Sequence, residues 1–193
     1  MSDNASRPVP PAVIDFEVRP TGIDGLLVLH MKQVSDARGT VRELFRSSAF
    51  AEAGLPVGPW SQINATETNR GAIRGLHGEQ TVKLVAVVSG AAFGAYVDAR
   101  PDSATRGAVQ TVELVRGTQV LVPAGVCNGF QSVSDEPTQY LYCFTAEWVP
   151  DMAGVALNPL DPALEIPWPV PVDPANPAHV SVKDAAAPLF AEL

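Results

Sequence analysis

The strongest constraint on how this chain can fold is a rhythm of short apolar, β-branched runs broken by glycine or proline. Thr81–Ser89 reads TVKLVAVVS and ends at Gly90; Ala91–Val97, Gly107–Val115, Thr118–Val122, Cys127–Val133 and Gln139–Thr145 follow it. Upstream, Leu26–Val34, Thr40–Phe45, Trp60–Thr66 and Ala72–His77 continue the pattern. Runs of this length at spacings of about 8–12 residues, with turn residues between them, predict an all-β sandwich or barrel. Ser35-Asp36-Ala37-Arg38-Gly39 reads as a turn, and Ser89-Gly90 and Arg116-Gly117 read as hairpin loops. Helical patterning is scarce. Arg46–Gly54 is expected to form one short helix, and Ala178–Leu193 a short C-terminal helical tail.

The chain of 193 residues has the length of one domain, and its 46% apolar content is enough for one solid core. Residues 1–20 are expected to form a flexible N-terminal segment, and 21–193 a single domain. Within it, 158–177 is rich in proline and poor in strand pattern, so it reads as a surface segment that wraps the domain. No run of about 18 apolar residues predicts a membrane span, and Met1–Ala12 lacks the apolar core of a secretory signal. The expected location is the cytoplasm. Cys127 and Cys143 have neither CxxC nor zinc spacing and read as free thiols, although a pairing between neighbouring strands is open in principle.

Thirteen Lys+Arg against 21 Asp+Glu leave a formal charge of −8. That balance argues against nucleic-acid or membrane-surface binding, which needs clustered basic residues. Histidines number three, His30, His77 and His179, on separate segments. A metal site built mainly from histidines therefore starts with few candidates, and no His-x-His pair exists here.

Four features stand out chemically. Arg74-Gly75-Leu76-His77 places an arginine and a histidine beside a glycine near a strand end, able to project into a barrel mouth; a lone histidine is more often structural. Lys83 shares a strand face with Val85 and Val87. A lysine there is costly unless it is paired, lines a cavity or guards an edge strand. Tyr140 and Tyr142 fall on one face, the usual arrangement of core or rim aromatics. Ser181-x-x-Asp184 fits an N-terminal helix cap with an acid in the first turn. Spacing alone does not link Asp184 to His77.

Taken together, DARGTVRE (36–43), Gln62-Ile63-Asn64, IRGLH (73–77), VKLV (82–85), VDARPDSATRG (97–107), VPAGVCNGF (122–130), YLYCFTAEWVP (140–150), NPLDPALEIPWP (158–169) and SVKDAAAP (181–188) resemble the dTDP-4-dehydrorhamnose 3,5-epimerase family, in the family's order. The resemblance implies a cupin-type β jelly roll, a homodimer and no metal or other cofactor. It implies a substrate in which a nucleotide diphosphate, expected to be dTDP, carries a 4-keto-6-deoxyhexose. A 4-ketone acidifies the C–H bonds at C3 and C5, so such an enzyme needs a base, an enolate stabiliser and an acid on the opposite face. His77 matches the base and Asp184 its carboxylate partner. Lys83 matches the cation near the keto oxygen, and Tyr142 the acid. Arg74 matches a diphosphate contact, Arg38 a contact from the neighbouring subunit, and Glu43, at the end of the same segment, a substrate-binding position. Gln62, Asn64 and Asn128 match polar substrate-binding positions.

The chain also departs from the family. Cys127-Asn128-Gly129-Phe130 stands where His-Gly-Phe is usual, and only Gly78–Val82 separate His77 from Lys83, a shortened loop. Thr40, Val41 and Arg42 replace the usual aromatic pair, and Trp148 replaces a tyrosine. Which carbon is inverted, and on which sugar nucleotide, is open at this level. Two other classes remain in view: a non-catalytic sugar-nucleotide-binding cupin and a metal-dependent cupin oxygenase or isomerase.

Overall fold

The computed structural model describes residues 10–55, 58–150 and 152–193. Its strands are β1 (Ala12–Ile14), β2 (Glu17–Pro20), β3 (Leu27–His30), β4 (Gln33–Asp36), β5 (Gly39–Arg42), β6 (Gln62–Thr68), β7 (Ile73–Glu79), β8 (Lys83–Ser89), β9 (Ala92–Asp98), β10 (Val109–Leu114), β11 (Thr118–Val122), β12 (Val126–Ser132), β13 (Thr138–Phe144) and β14 (Gly154–Ala156). Two short α-helices, α1 (Ser47–Glu52) and α2 (Val182–Ala185), and two single 3₁₀ turns complete it. The strands form a six-stranded sheet ordered β2-β3-β11-β8-β13-β6, a five-stranded sheet ordered β10-β9-β12-β7-β14, and a ribbon ordered β1-β4-β5. Every pairing is antiparallel. The two larger sheets make the jelly roll that the sequence led us to expect.

The core explains why the central strands read as solid apolar runs rather than as alternation. Val85, Val87, Tyr96, Leu114, Val120, Val122, Phe130 and Tyr140 fill the space between the sheets. The outer face of the five-stranded sheet is buried too: Leu76, Ala95, Val97 and Cys127 lie under Leu157 and under Leu164, Ile166 and Trp168 of the proline-rich segment. Gln131 fastens that segment, its amide donating to the Val170 carbonyl and accepting from the Val170 N–H. Leu29, Leu84 and Leu121 on the other sheet are covered by Phe50 of α1 with Phe45 and Trp60. Sheets covered on both faces have little use for polar alternation.

Three local expectations change. The run 26–34 is not one strand: β3 joins the six-stranded sheet, while β4 leaves it for the ribbon. Ser89-Gly90 and Arg116-Gly117 do not close hairpins. They carry β8 to β9 and β10 to β11, each pair lying in different sheets. Gly90 (φ +78°) and Gly117 (φ +100°) supply a left-handed turn that suits a step between layers as well as a hairpin. Finally, β1 and β2 lie in the stretch expected to be a flexible lead, because β3 and β4 offer them open edges; residues 1–9 fall outside the described residues. No helix is long and apolar enough to cross a membrane among the described residues.

Candidate active site

The site is built around a close crossing of β7 and β12. Gly75 has φ +111°, and a Cβ there would lie 2.6 Å from the Asn128 carbonyl oxygen and 2.6 Å from Gly129 Cα. Only glycine fits. At the same place the pairing of the two strands shifts register between Asn128 and Phe130. The crossing sets Arg74 and His77 into one cavity of about 300 Å³, also lined by Glu79, Lys83, Asn128, Phe130, Tyr142, Ser181, Lys183 and Asp184.

Asp184 arrives from the far end of the chain. Ser181 caps α2, its hydroxyl oxygen accepting the Asp184 N–H at 3.0 Å, which fixes the acid in the first turn. From there Asp184 Oδ1 meets His77 Nε2 at 2.7 Å. Asp184 is buried and the His77 side chain half-buried. Burial alone would raise the Asp184 pKa. The hydrogen bond and charge of His77, with Ser181 and the Gly75 backbone, outweigh burial and hold the carboxyl below its ordinary value. An ionised acceptor at Nε2 makes that nitrogen the donor and leaves Nδ1 to take a proton.

Lys83 opens β8 in the middle of the six-stranded sheet, between β11 and β13, which removes the edge-strand explanation for it. Its ammonium is buried, donating to the His77 carbonyl at 2.9 Å and to Glu79 Oε2. Burial pushes its pKa down, against the opposing pull of Glu79. Tyr142 comes from β13, so it belongs to the sheet opposite His77. It extends an aromatic ladder with Tyr140 (centroids 4.8 Å) and Phe144 (6.2 Å), as one strand face requires. Burial raises the Tyr142 phenol above its ordinary pKa, so it is protonated at neutral pH. Arg74 Nε donates to Thr68 Oγ1 at 2.9 Å at the rim.

Six of the ten site residues expected from sequence therefore line one cavity: His77, Asp184, Lys83, Tyr142, Arg74 and Asn128. Asn64 lines an adjoining cavity of about 480 Å³ that shares His77, Glu79 and Lys183 and adds Trp148, Met152 and Val155. Gln62 stands behind it, its amide donating to Asn64 Oδ1 at 3.1 Å and accepting the Trp148 N–H at 2.7 Å. Arg38 and Glu43 are not brought in. Arg38 is exposed and tied to Asp36, and Glu43 is tied to Arg46. A further hollow of about 830 Å³, which meets the Asn64 cavity at Gly154 and Val155, offers little chemistry. Its Arg100 is committed to Asp98, and its Arg106 to the Ala99 and Leu193 carbonyls.

A family model described as dTDP-4-dehydrorhamnose 3,5-epimerase matches residues 20–192. The chain belongs to the dTDP-4-dehydrorhamnose 3,5-epimerase family. It is 33% identical over 185 residues to a dTDP-4-dehydrorhamnose 3-epimerase of Streptomyces niveus, covering 92% of this chain and 85% of that one. Among solved structures it resembles a 4-keto-6-deoxy sugar epimerase from the novobiocin biosynthetic gene cluster of Streptomyces spheroides (TM-score 0.83, 30% identity, 95% and 92% coverage). It also resembles a dTDP-6-deoxy-D-glucose-3,5-epimerase of Legionella pneumophila in complex with dTDP-4-keto-L-rhamnose (TM-score 0.81, 31% identity, 92% and 94% coverage).

Two charged residues of this epimerase-family site escaped the sequence reading. Glu79 follows His77 by two positions, and period-two alternation on β7 would have put both on one face. Lys183 directly precedes Asp184 and reaches both cavities. Among the described residues no group of three or more His, Cys, Asp or Glu is arranged to hold a metal ion. Cys127 and Cys143 are free thiols on strands of different sheets.

Proposed function

We propose that this protein inverts C3, C5 or both of a 4-keto-6-deoxyhexose carried on dTDP, by proton removal and return. The observation that carries the reading is the meeting of the His77–Asp184 pair from one side of the sandwich with Lys83 and Tyr142 from the other sheet, in one cavity. His77 Nδ1 takes the proton α to the ketone. The Lys83 ammonium stabilises the enolate oxygen, a task that a buried fixed charge performs better than water does. Tyr142 returns a proton to the opposite face, and that change of face is the inversion. Arg74 and Lys183 sit at the cavity wall where they suit the diphosphate, so an acidic protein still presents a local cationic mouth.

We further propose that it works as a homodimer in the cytoplasm. The β1-β4-β5 ribbon exposes Val13, Ile14, Val34 and Val41, the last 72% exposed. An apolar ribbon of this kind suits a second copy of the chain, which would also give Arg38 and Glu43 a site to serve. Free thiols fit a reducing compartment.

The test is product identity. Given dTDP-4-keto-6-deoxyglucose, the protein is expected to yield an epimer whose ring coupling constants in ¹H NMR name the inverted carbon. Unchanged substrate, across a panel of sugar nucleotides, contradicts the reading.

A further inference from the structure

Glu79 is the one anion that touches Lys83 among the described residues. Its Oε2 accepts from the Lys83 ammonium, which also donates to the His77 carbonyl at 2.9 Å. An ammonium has three N–H bonds. Two are thereby fixed, and the third has no protein acceptor among the described residues, while Lys83 itself lines the cavity. The pair also spans a tight corner: Glu79 ends β7, Lys83 opens β8, and only Gln80, Thr81 and Val82 lie between.

The surroundings make this partnership decisive. Lys83 is 2% exposed, a position where an ammonium without a counter-charge loses its proton. The other titratable groups around the cavity are His77 and Arg74 on β7, Cys127 on β12, Tyr142 on β13, and Lys183 and Asp184 on α2. Burial drives the Cys127 thiol up to about 12, so it supplies no charge at neutral pH. Tyr142 is neutral there, Asp184 is committed to His77, and Arg74 and Lys183 repel a cation.

We propose that Glu79 is a positioning residue that keeps the buried Lys83 ammonium charged and aims its third N–H at the reacting oxygen. The proposal rests on the epimerase reading for its use, but the ion pair can be measured without substrate. The chain has three lysines, Lys32, Lys83 and Lys183, so a ¹³Cε-lysine spectrum of the ligand-free protein has three resonances, and Lys83→Met assigns the one that matters. In Glu79→Gln, whose amide oxygen can still accept the hydrogen bond, Lys83 is expected to titrate about 1–3 pH units lower than in the wild type. Glu79→Asp should move it the same way by less, and it serves as the probe if the glutamine variant folds poorly. The alkaline limb of the epimerisation rate should follow, with kcat affected and KM nearly unchanged. A Lys83 titration that is the same in the wild type and both variants overturns the proposal and makes the pair a mere clip between the sheets. The expected titration shifts in the variants, together with a wild type that inverts no sugar, overturn the proposed activity instead.

Discussion

His77 Nε2 lies 2.7 Å from Asp184 Oδ1, although 107 positions separate the two in sequence. The contact depends on two local devices: the glycine crossing that turns β7 toward the cavity, and the Ser181 cap that holds Asp184 in the first turn of a four-residue helix. A helix that short has almost no stability of its own, so the acid is held by its cap and its partner.

Replacing Asp184 by Asn keeps an acceptor for Nε2 but removes the charge that stabilises the imidazolium. The expected loss in kcat is about 10²–10⁴-fold, measured at saturating substrate. The same change should alter acid stability. The folded Asp184 titrates below its ordinary value of 3.8, so its ionised form contributes stability that is fully present above that value and is lost as pH falls through the folded one. The difference in urea midpoint between the wild type and Asp184→Asn should therefore shrink as pH drops below 3.8.

Tyr142→Phe removes the acid and leaves the base. Proton removal by His77 should continue, with reprotonation from the same face. The expected signature in D₂O is deuterium entering the substrate without the epimer forming. Loss of exchange and inversion together would place Tyr142 in the proton-removal step instead.

Gly75→Ala puts a Cβ 2.6 Å from two backbone atoms of β12. Neither can yield as a flexible side chain could, so the strands must part. Overpacking of this kind costs about 1–3 kcal/mol or more, and it should appear as a lower urea midpoint and a lost His77–Asp184 contact. An unchanged midpoint would mean that the crossing is looser than its geometry implies.

Asp98 is fully buried, its carboxylate bonded to Arg100, Ser103 and Thr105. Burial works to raise its pKa, and those partners together carry it far below the ordinary value. Asp98→Ala strands a part-buried guanidinium and should cost about 3–5 kcal/mol at pH 7. Because the folded pKa is depressed, this stability too is present above the ordinary value and lost on acidification. Unfolding curves should thus separate the wild type from the variant fully at pH 7 and progressively less as the pH falls below 3.8.

The sequence was most legible where local chemistry decides the outcome. The Ser181 cap, the short helix near 47–52 and the run of strands all follow from nearest-neighbour preferences, and the structure has them. It was least legible where a residue's meaning depends on another layer. Gly90 and Gly117 look the same whether they close a hairpin or step between sheets. The pairing of His77 with Asp184 came only from the family resemblance, because no local rule reaches across 107 positions. Glu79 was missed because a glutamate beside a turn looks like a solvated surface residue until Lys83 is seen behind it. Arg38 and Glu43 stay outside the cavity of one chain, paired with Asp36 and Arg46.

The most direct measurement is NMR of dTDP-4-keto-6-deoxyglucose in D₂O with the wild type and with His77→Asn. Deuterium is expected to enter at C3, C5 or both, together with inversion, in the wild type, and to fall by at least about 10²-fold in the variant. Exchange that survives in His77→Asn at the wild-type rate would contradict the account, because the proton would then be leaving to a base other than the one Asp184 holds in place.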